Sequence, residues 1–258
     1  LQLNLIGEVY YARNQIQEAR TYFKQALEYI NRIGTKFLSA KVTFNLFLIL
    51  IETGKISNAE QQLFRLKEIA EQEKHPTNTN HKILAEALYQ MQSPKLLDKA
   101  QAQQKLHNLV NQQDLDINLL IMAYFNLFNL YLLEWKISED KTTLDEIYQI
   151  LDLIQDLAKN QSIFPLEVEL HLLRALLTLV QGNLSQAESY ITEAIETAQN
   201  HEFPHLISKS LELKTKIQSQ VKEWKDLLDE NASIARLLEK TEMEEYLKSA
   251  MRIKYTLS

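Results

Sequence analysis

A chain of 258 residues has room for one or two globular domains or for a single elongated repeat array. Its net charge of −6 is spread thinly, which argues against a general nucleic-acid binder, and the absence of cysteine excludes a disulfide framework and thiol chemistry. Only 4 Gly and 4 Pro are too few for the turns of an all-β fold, so a nearly all-helical chain is expected.

The first element predicted is a helical pair over Leu3–Ala26, LNLIGEVYYARNQIQEARTYFKQA. Leu3, Ile6, Gly7 and Tyr10 lie at offsets 0, +3, +4 and +7, one apolar stripe on a helix. Ala19, Phe23 and Ala26 make the matching stripe on a second helix, with Asn14 and Gln15 at the polar turn. Gly7 and Ala19 are small where two antiparallel helices approach closely; Tyr10 and Phe23 are large beside that contact. This order and spacing resembles a tetratricopeptide repeat (TPR), with Leu3 at the first large position, often Trp in the family, and Asn31 where the closing Pro would stand.

A second pair is predicted over about 41–72, with Thr43, Leu46, Phe47 and Leu50 on the first helix, Gly54 at the turn, and Ala59, Leu63 and Leu66 on the second. The polar run His75–Asn80 reads as a loop. Leu84, Ala87, Leu88 and Met91, then Ala102, Leu106 and Leu109, make a weaker third pair around Ser93-Pro94. In the fourth, FNLF at 125–128 repeats FNLF at 44–47, and Glu134-Trp-Lys136 is expected to end the helix as Thr53-Gly-Lys55 does. About seven extra residues near Ser138–Leu144, an expected surface insertion, precede Ile147, Leu151 and Ile154. Ala175, Gly182, Ala187, Ile191 and Ala194 mark the fifth, whose first helix departs from the apolar pattern at His171 and Arg174. Gly34, Gly54 and Gly182 read as C-terminal caps, and Pro76, Pro94, Pro165 and Pro204 as first-turn prolines. Beyond Pro204 one helix is expected to about Asp229 and another over about Ser233–Lys254, a polar cap on the array's end. The segment at 224–250 is similar to the tail of some archaeal multi-TPR proteins.

The resemblance implies an all-α fold, a right-handed α-solenoid of about five TPR hairpins (about 1–34, 35–75, 79–113, 115–160 and 164–200) with capping helices over 201–258. The start at Leu1, without Met and already within helical periodicity, suggests a piece of a longer chain; with no signal-peptide pattern, the expected location is cytoplasmic.

By the same resemblance a concave groove is lined by Asn4, Glu8 and Tyr11; by Lys41, Phe44, Leu48 and Ile51; by Met122, Phe125, Asn129 and Leu132; and by Glu169, Leu172, Leu176 and Leu179. These are not the Lys/Asn/Arg residues of TPRs that clamp a peptide carboxylate. VTFNLFLILI (42–51) and LLIMAYFNLFNLYLL (119–133) are apolar almost all round and must be covered on every face. The second is short for a membrane span and carries Asn126 and Asn129, so no span is expected. The cover is an amphipathic helix or peptide of a protein partner, tight superhelical winding of the array itself, the chain's own 233–254 helix through Leu237, Leu238, Tyr246 and Leu247, or another copy in a homodimer.

No cofactor, metal site or catalytic residue is expected. His201-Glu-Phe-Pro-His205 matches the zinc-protease pattern, but Pro204 would keep the two histidines off one helical face. His75 and His81 lack supporting ligands, and Gly54-Lys55 lacks the rest of a phosphate loop. The Lys/Glu-rich run 209–254 reads as a solvated face. The chain therefore reads as a protein-interaction scaffold rather than an enzyme, with the sensor module of a larger regulator as the alternative.

Overall fold

Gly7 lies against the ring of Phe23, so close that a Cβ there would stand 2.6 Å from a ring carbon. That contact joins α1 (Gln2–Ala12) to α2 (Ile16–Ile33). The structure, a computed structural model, describes residues 2–33 and 38–253, and every regular element among them is a helix. After α2 come α3 (Ser39–Glu52), α4 (Ile56–Gln72), α5 (Pro76–Met91), α6 (Leu96–Val110) and α7 (Ile117–Ser138). They are followed by α8 (Lys141–Asn160), α9 (Phe164–Val180), α10 (Leu184–Asn200), α11 (Pro204–Ser219), α12 (Val221–Asp229), α13 (Ile234–Thr241) and α14 (Met243–Arg252). The helices fall into two compact units, one through Leu127 and one over Phe128–Ile253, the division lying within α7.

In the first unit α1–α2, α3–α4 and α5–α6 are hairpins; α2 packs on α3, α4 on α5, and α3 also reaches α5. Of the first helices α3 packs on α5, while the second helices α2 and α4 bridge to the next pair. Ala19, Phe23, Ala59, Leu63, Leu66, Ala102, Leu106 and Leu109, all expected on second helices, are buried. In the second unit the α9–α10 hairpin is flanked by α8 and α11, and α13 and α14 lie on α9. Thirteen of the 17 residues of α9 are buried, and each fully buried Leu contributes about 1.5–3 kcal/mol.

Six of the turns among the described residues share one hydrogen-bond pattern. At Gly54 (φ 67°) the Gly54 N–H donates to the Ile51 carbonyl and the Lys55 N–H to the Leu50 carbonyl, which stops α3 with a left-handed residue. Gly182 does the same after α9. Asn14, Ser162, Glu202 and Asn231, also at positive φ, repeat the pattern without glycine, which is how a chain so poor in Gly makes so many turns. Gly34, read as a cap, lies outside the described residues. Pro76, Pro165 and Pro204 sit in first turns; Pro94 instead precedes the N-cap of α6, Lys95.

Three expectations on helix boundaries are corrected. Glu134-Trp-Lys136 does not end its helix: α7 runs on to Ser138 with Trp135 buried. The extra residues accordingly lengthen α7 to 22 residues and α8 to 20, leaving only Glu139 and Asp140 between them. The expected helix over 204–229 breaks at Gln220, and the one over 233–254 breaks at Glu242, which is left-handed with φ 56°. At 22 residues α7 is also long and apolar enough, by length and composition, to cross a membrane, so its apolar run was no measure of its length; 56% of its most apolar stretch is buried.

Candidate functional site

In the first unit the predicted groove positions are occupied by a buried polar cluster and by core side chains. The Asn4 amide donates to Glu8 Oε1 at 3.0 Å, and the Asn45 amide donates at 3.0 Å to both Asn4 Oδ1 and Glu8 Oε1. Lys41 Nζ lies 3.3 Å from the same Glu8 oxygen. This set ties α1 to α3 and satisfies a carboxylate that burial would otherwise penalise. Tyr11, Leu48 and Met122 are buried, Phe44 is 2% exposed and Phe125 0%. Phe44 takes the His81 ring edge-on at 5.1 Å. Of the predicted positions in this unit, Lys41 is exposed and Ile51 half-buried, and the other apolar members are buried.

In the second unit the corresponding face is filled by the chain itself. Leu132, Leu172, Leu176 and Leu179 are buried and Asn129 half-buried. On α9 lie α13 and α14, which bury Leu237, Leu238, Met243, Leu247 and Ala250. They also reach the helices on either side: Lys136 of α7 pairs with Glu239 at 3.1 Å, and Lys216 of α11 with Glu242 at 2.7 Å. The Ile234 N–H donates to Glu139 Oε1 at 3.1 Å, just past the end of α7. Between α7 and the covering pair a cavity of about 300 Å³ remains, lined by Asn129, Leu132, Leu133, Lys136, Leu238 and Met243 among others.

One polar knot pins this cover. Glu169, 1% exposed, accepts from Lys209 Nζ at 2.7 and 2.6 Å and from the Ser249 hydroxyl at 3.1 Å. Lys209 Nζ also donates to Ser249 Oγ at 2.8 Å and lies 4.8 Å from the centre of the Tyr246 ring. Burial, with Glu169, Glu242 and Glu212 nearby, pushes the Tyr246 phenol up to about 12. Three helices, α9, α11 and α14, thus meet at one carboxylate. Of its members only Glu169 stood among the predicted groove positions; Lys209 and Ser249 fall in the mixed-charge run 209–254 that reads as a solvated face. The signal that marks them is the Met243, Leu247, Ala250 stripe, which turns Tyr246 and Ser249 to its flank.

The two polar departures on α9 point to its other neighbours. Arg174 donates to Asp152 of α8 at 2.6 Å, and His171 Nδ1 lies 3.3 Å from Glu193 Oε2 of α10 without hydrogen-bond geometry. Burial holds the His171 imidazole below its ordinary pKa, with Glu193 opposing and Arg174 and Lys159 assisting.

Of the remaining histidines, His201 follows α10 and stacks on Phe164 at 3.4 Å, while His205 sits in the first turn of α11 beyond the left-handed Glu202. His75 caps α5 by accepting from the Thr77 N–H, and His81, within α5, is buried. Among the described residues no three His, Cys, Asp or Glu side chains gather as a metal site. A larger open hollow of about 580 Å³ lies over α4, α5 and α6, where Lys105 and Lys67 face Glu86 at 2.8 and 3.7 Å and Phe64 is exposed. Comparison of the chain with protein-family models finds no match, and comparison with curated proteins finds none.

Proposed function

We propose that this chain is a TPR-type helical-repeat module, a right-handed solenoid whose task is to bind a helical segment of another protein along the inner face of its first helices. The resemblance of Leu3–Ala26 to the repeat pattern supports the family, and the succession of hairpins, with α2 on α3, α4 on α5 and α3 on α5, supports the repeat geometry. The single observation that carries the binding reading is the seating of α13–α14 on α9, with polar contacts to α7 and α11. That face accepts an amphipathic helix of this chain, so it has the shape and chemistry to accept one from elsewhere. On this reading the module is a non-catalytic scaffold of the cytoplasm that needs no cofactor.

The test is a displayed library of amphipathic helices panned against the full chain, followed by lysine cross-linking of the enriched helices. Cross-links to Lys136, Lys209 and Lys216 are expected. Cross-links confined to the outer helices, or no enrichment, overturn the reading.

A second reading, self-association, is favoured by α1. Leu5, Ile6 and Val9 are exposed, Val9 to 51%, whereas Asn45, Leu46 and Ile49, at the same offsets before the next turn, are buried. Sedimentation of the chain against a Val9→Glu variant distinguishes a dimer held there.

A further inference from the structure

We infer that α13–α14 is a resident, exchangeable ligand of the second unit, displaced in trans by an acidic amphipathic helix that carries the α14 pattern. The inference rests on the inner-face reading above and adds what the partner looks like and what it must displace.

The two helices are built to depend on their seat. They have 8 and 10 residues, with a left-handed Glu242 between them. Helices this short are marginal alone in water, so their order derives from docking. Around the rim the docking uses ion pairs with exposed carboxylates, Lys136–Glu239 and Lys216–Glu242, a kind of contact that holds little on its own. What is withdrawn from water is the stripe Leu237, Leu238, Met243, Leu247 and Ala250. A stripe of this kind is supplied equally well by another chain.

The chemistry of the replacement follows from the groups left behind. Glu169 and Lys209 pair without outside help, but Glu169 also accepts from Ser249, and Lys209 has the Tyr246 ring beside it. A competitor therefore needs apolar residues at i, i+4 and i+7, an aromatic at i+3 and a hydroxyl at i+6, the spacing of Met243, Tyr246, Leu247, Ser249 and Ala250. The rim lysines 136 and 216 select acidic residues at its start, where this chain has Glu239 and Glu242. The resident pair holds an advantage by being tethered: its effective concentration is of millimolar order, so a free helix of equal affinity competes poorly until the resident one is weakened.

The probe is a fluorescein-labelled peptide of residues 234–252, titrated by anisotropy into the 258-residue chain, its Leu247→Glu variant, and its Lys136→Cys/Glu239→Cys variant. Because the chain has no cysteine, a short bis-maleimide bridges only that pair. Amide hydrogen exchange on each protein reports whether 234–252 has left α9. The peptide is expected to bind Leu247→Glu at least about tenfold more tightly than the unaltered chain, and bridging is expected to weaken its binding to the cysteine variant by at least about tenfold.

Equal binding before and after bridging overturns the inference, and this comparison decides alone if Leu247→Glu does not fold. If 234–252 exchanges together with α9 and α10 in the unaltered chain, and peptide leaves that protection unchanged, the pair is fixed structure; the exchange idea fails while the inner-face reading survives. If 234–252 is released in Leu247→Glu and peptide still does not bind, the inner-face reading falls as well.

Discussion

Lys209 Nζ is within 2.7 Å of both carboxylate oxygens of Glu169, and the carboxylate is almost wholly removed from water. Removing one partner of such a pair strands the other. Lys209→Met is therefore expected to destabilise the second unit by about 3 kcal/mol, while Glu169→Met/Lys209→Met recovers most of that loss. Both tryptophans of the chain, Trp135 and Trp224, are buried in this unit. Tryptophan fluorescence in a urea titration thus reads it selectively. Equal losses in the single and double variants would show that the pair is not what holds Glu169 in place.

Gly7 gives a prediction of opposite character. A methyl group there meets two adjacent carbons of the Phe23 ring at 2.6 and 2.7 Å, and Phe23 is too buried to swing aside. Helix propensity alone would favour Ala by about 1 kcal/mol, but overpacking costs about 1–3 kcal/mol. Gly7→Ala should lower the thermal midpoint, and adding Phe23→Leu should restore part of it. A Gly7→Ala protein with a raised midpoint would mean that α1 and α2 are not in contact at this point.

His171 predicts acid sensitivity. Its folded pKa lies below the ordinary 6.5, so below that pH the unfolded chain takes up the proton first. Its contribution is intact above about pH 6.5 and is lost as pH falls toward the folded value. The stability of His171→Leu should change less than that of the unaltered chain between about pH 7 and about pH 5. Parallel denaturation curves at the two pH values would place the acid sensitivity elsewhere.

At the alkaline end Tyr246 acts with the reverse sign in proton count. Its folded pKa of about 12 stands above the ordinary 10.0, so the unfolded chain loses its proton first. Stability from this phenol is whole below pH 10 and declines between there and about 12. The difference in tyrosinate absorbance between the chain and Tyr246→Phe should titrate near the upper value. A difference curve centred at the ordinary value would show that the phenol is solvated.

The helical pairs were legible because their signals are local. Ala19 and Phe23, Ala59 and Leu63, and Ala187 and Ile191 keep the same spacing, and each pair is buried on the second helix of a hairpin. Breaks at Glu242 and Gln220 were not legible, because Glu and Gln are ordinary helix residues and nothing local marks them as stops. The length of α7 was hidden similarly: Trp135 and Ile137 continue a helix that the analogy with Thr53-Gly-Lys55 would have ended. For the predicted groove positions the limit is different. Phe44, Phe125 and Leu172 are apolar whatever covers them, so the pattern states the need for a cover without naming it. In the second unit the cover comes from Leu237, Leu238 and Leu247, whose spacing made them candidates, and from Ser249, whose role depends on Glu169 some eighty residues earlier.

The burial of α9 has a consequence for how the protein is made. During synthesis Leu172 leaves the ribosome about 75 residues before Leu247, a lag of roughly 4–15 s at about 5–20 residues per second. Throughout that interval α10 can already pack on α9, but the face that Leu247 and its neighbours on α14 cover waits for them. A chaperone that recognises short apolar helices is expected to engage the protein in that window and to be dismissed by the arrival of the last two helices.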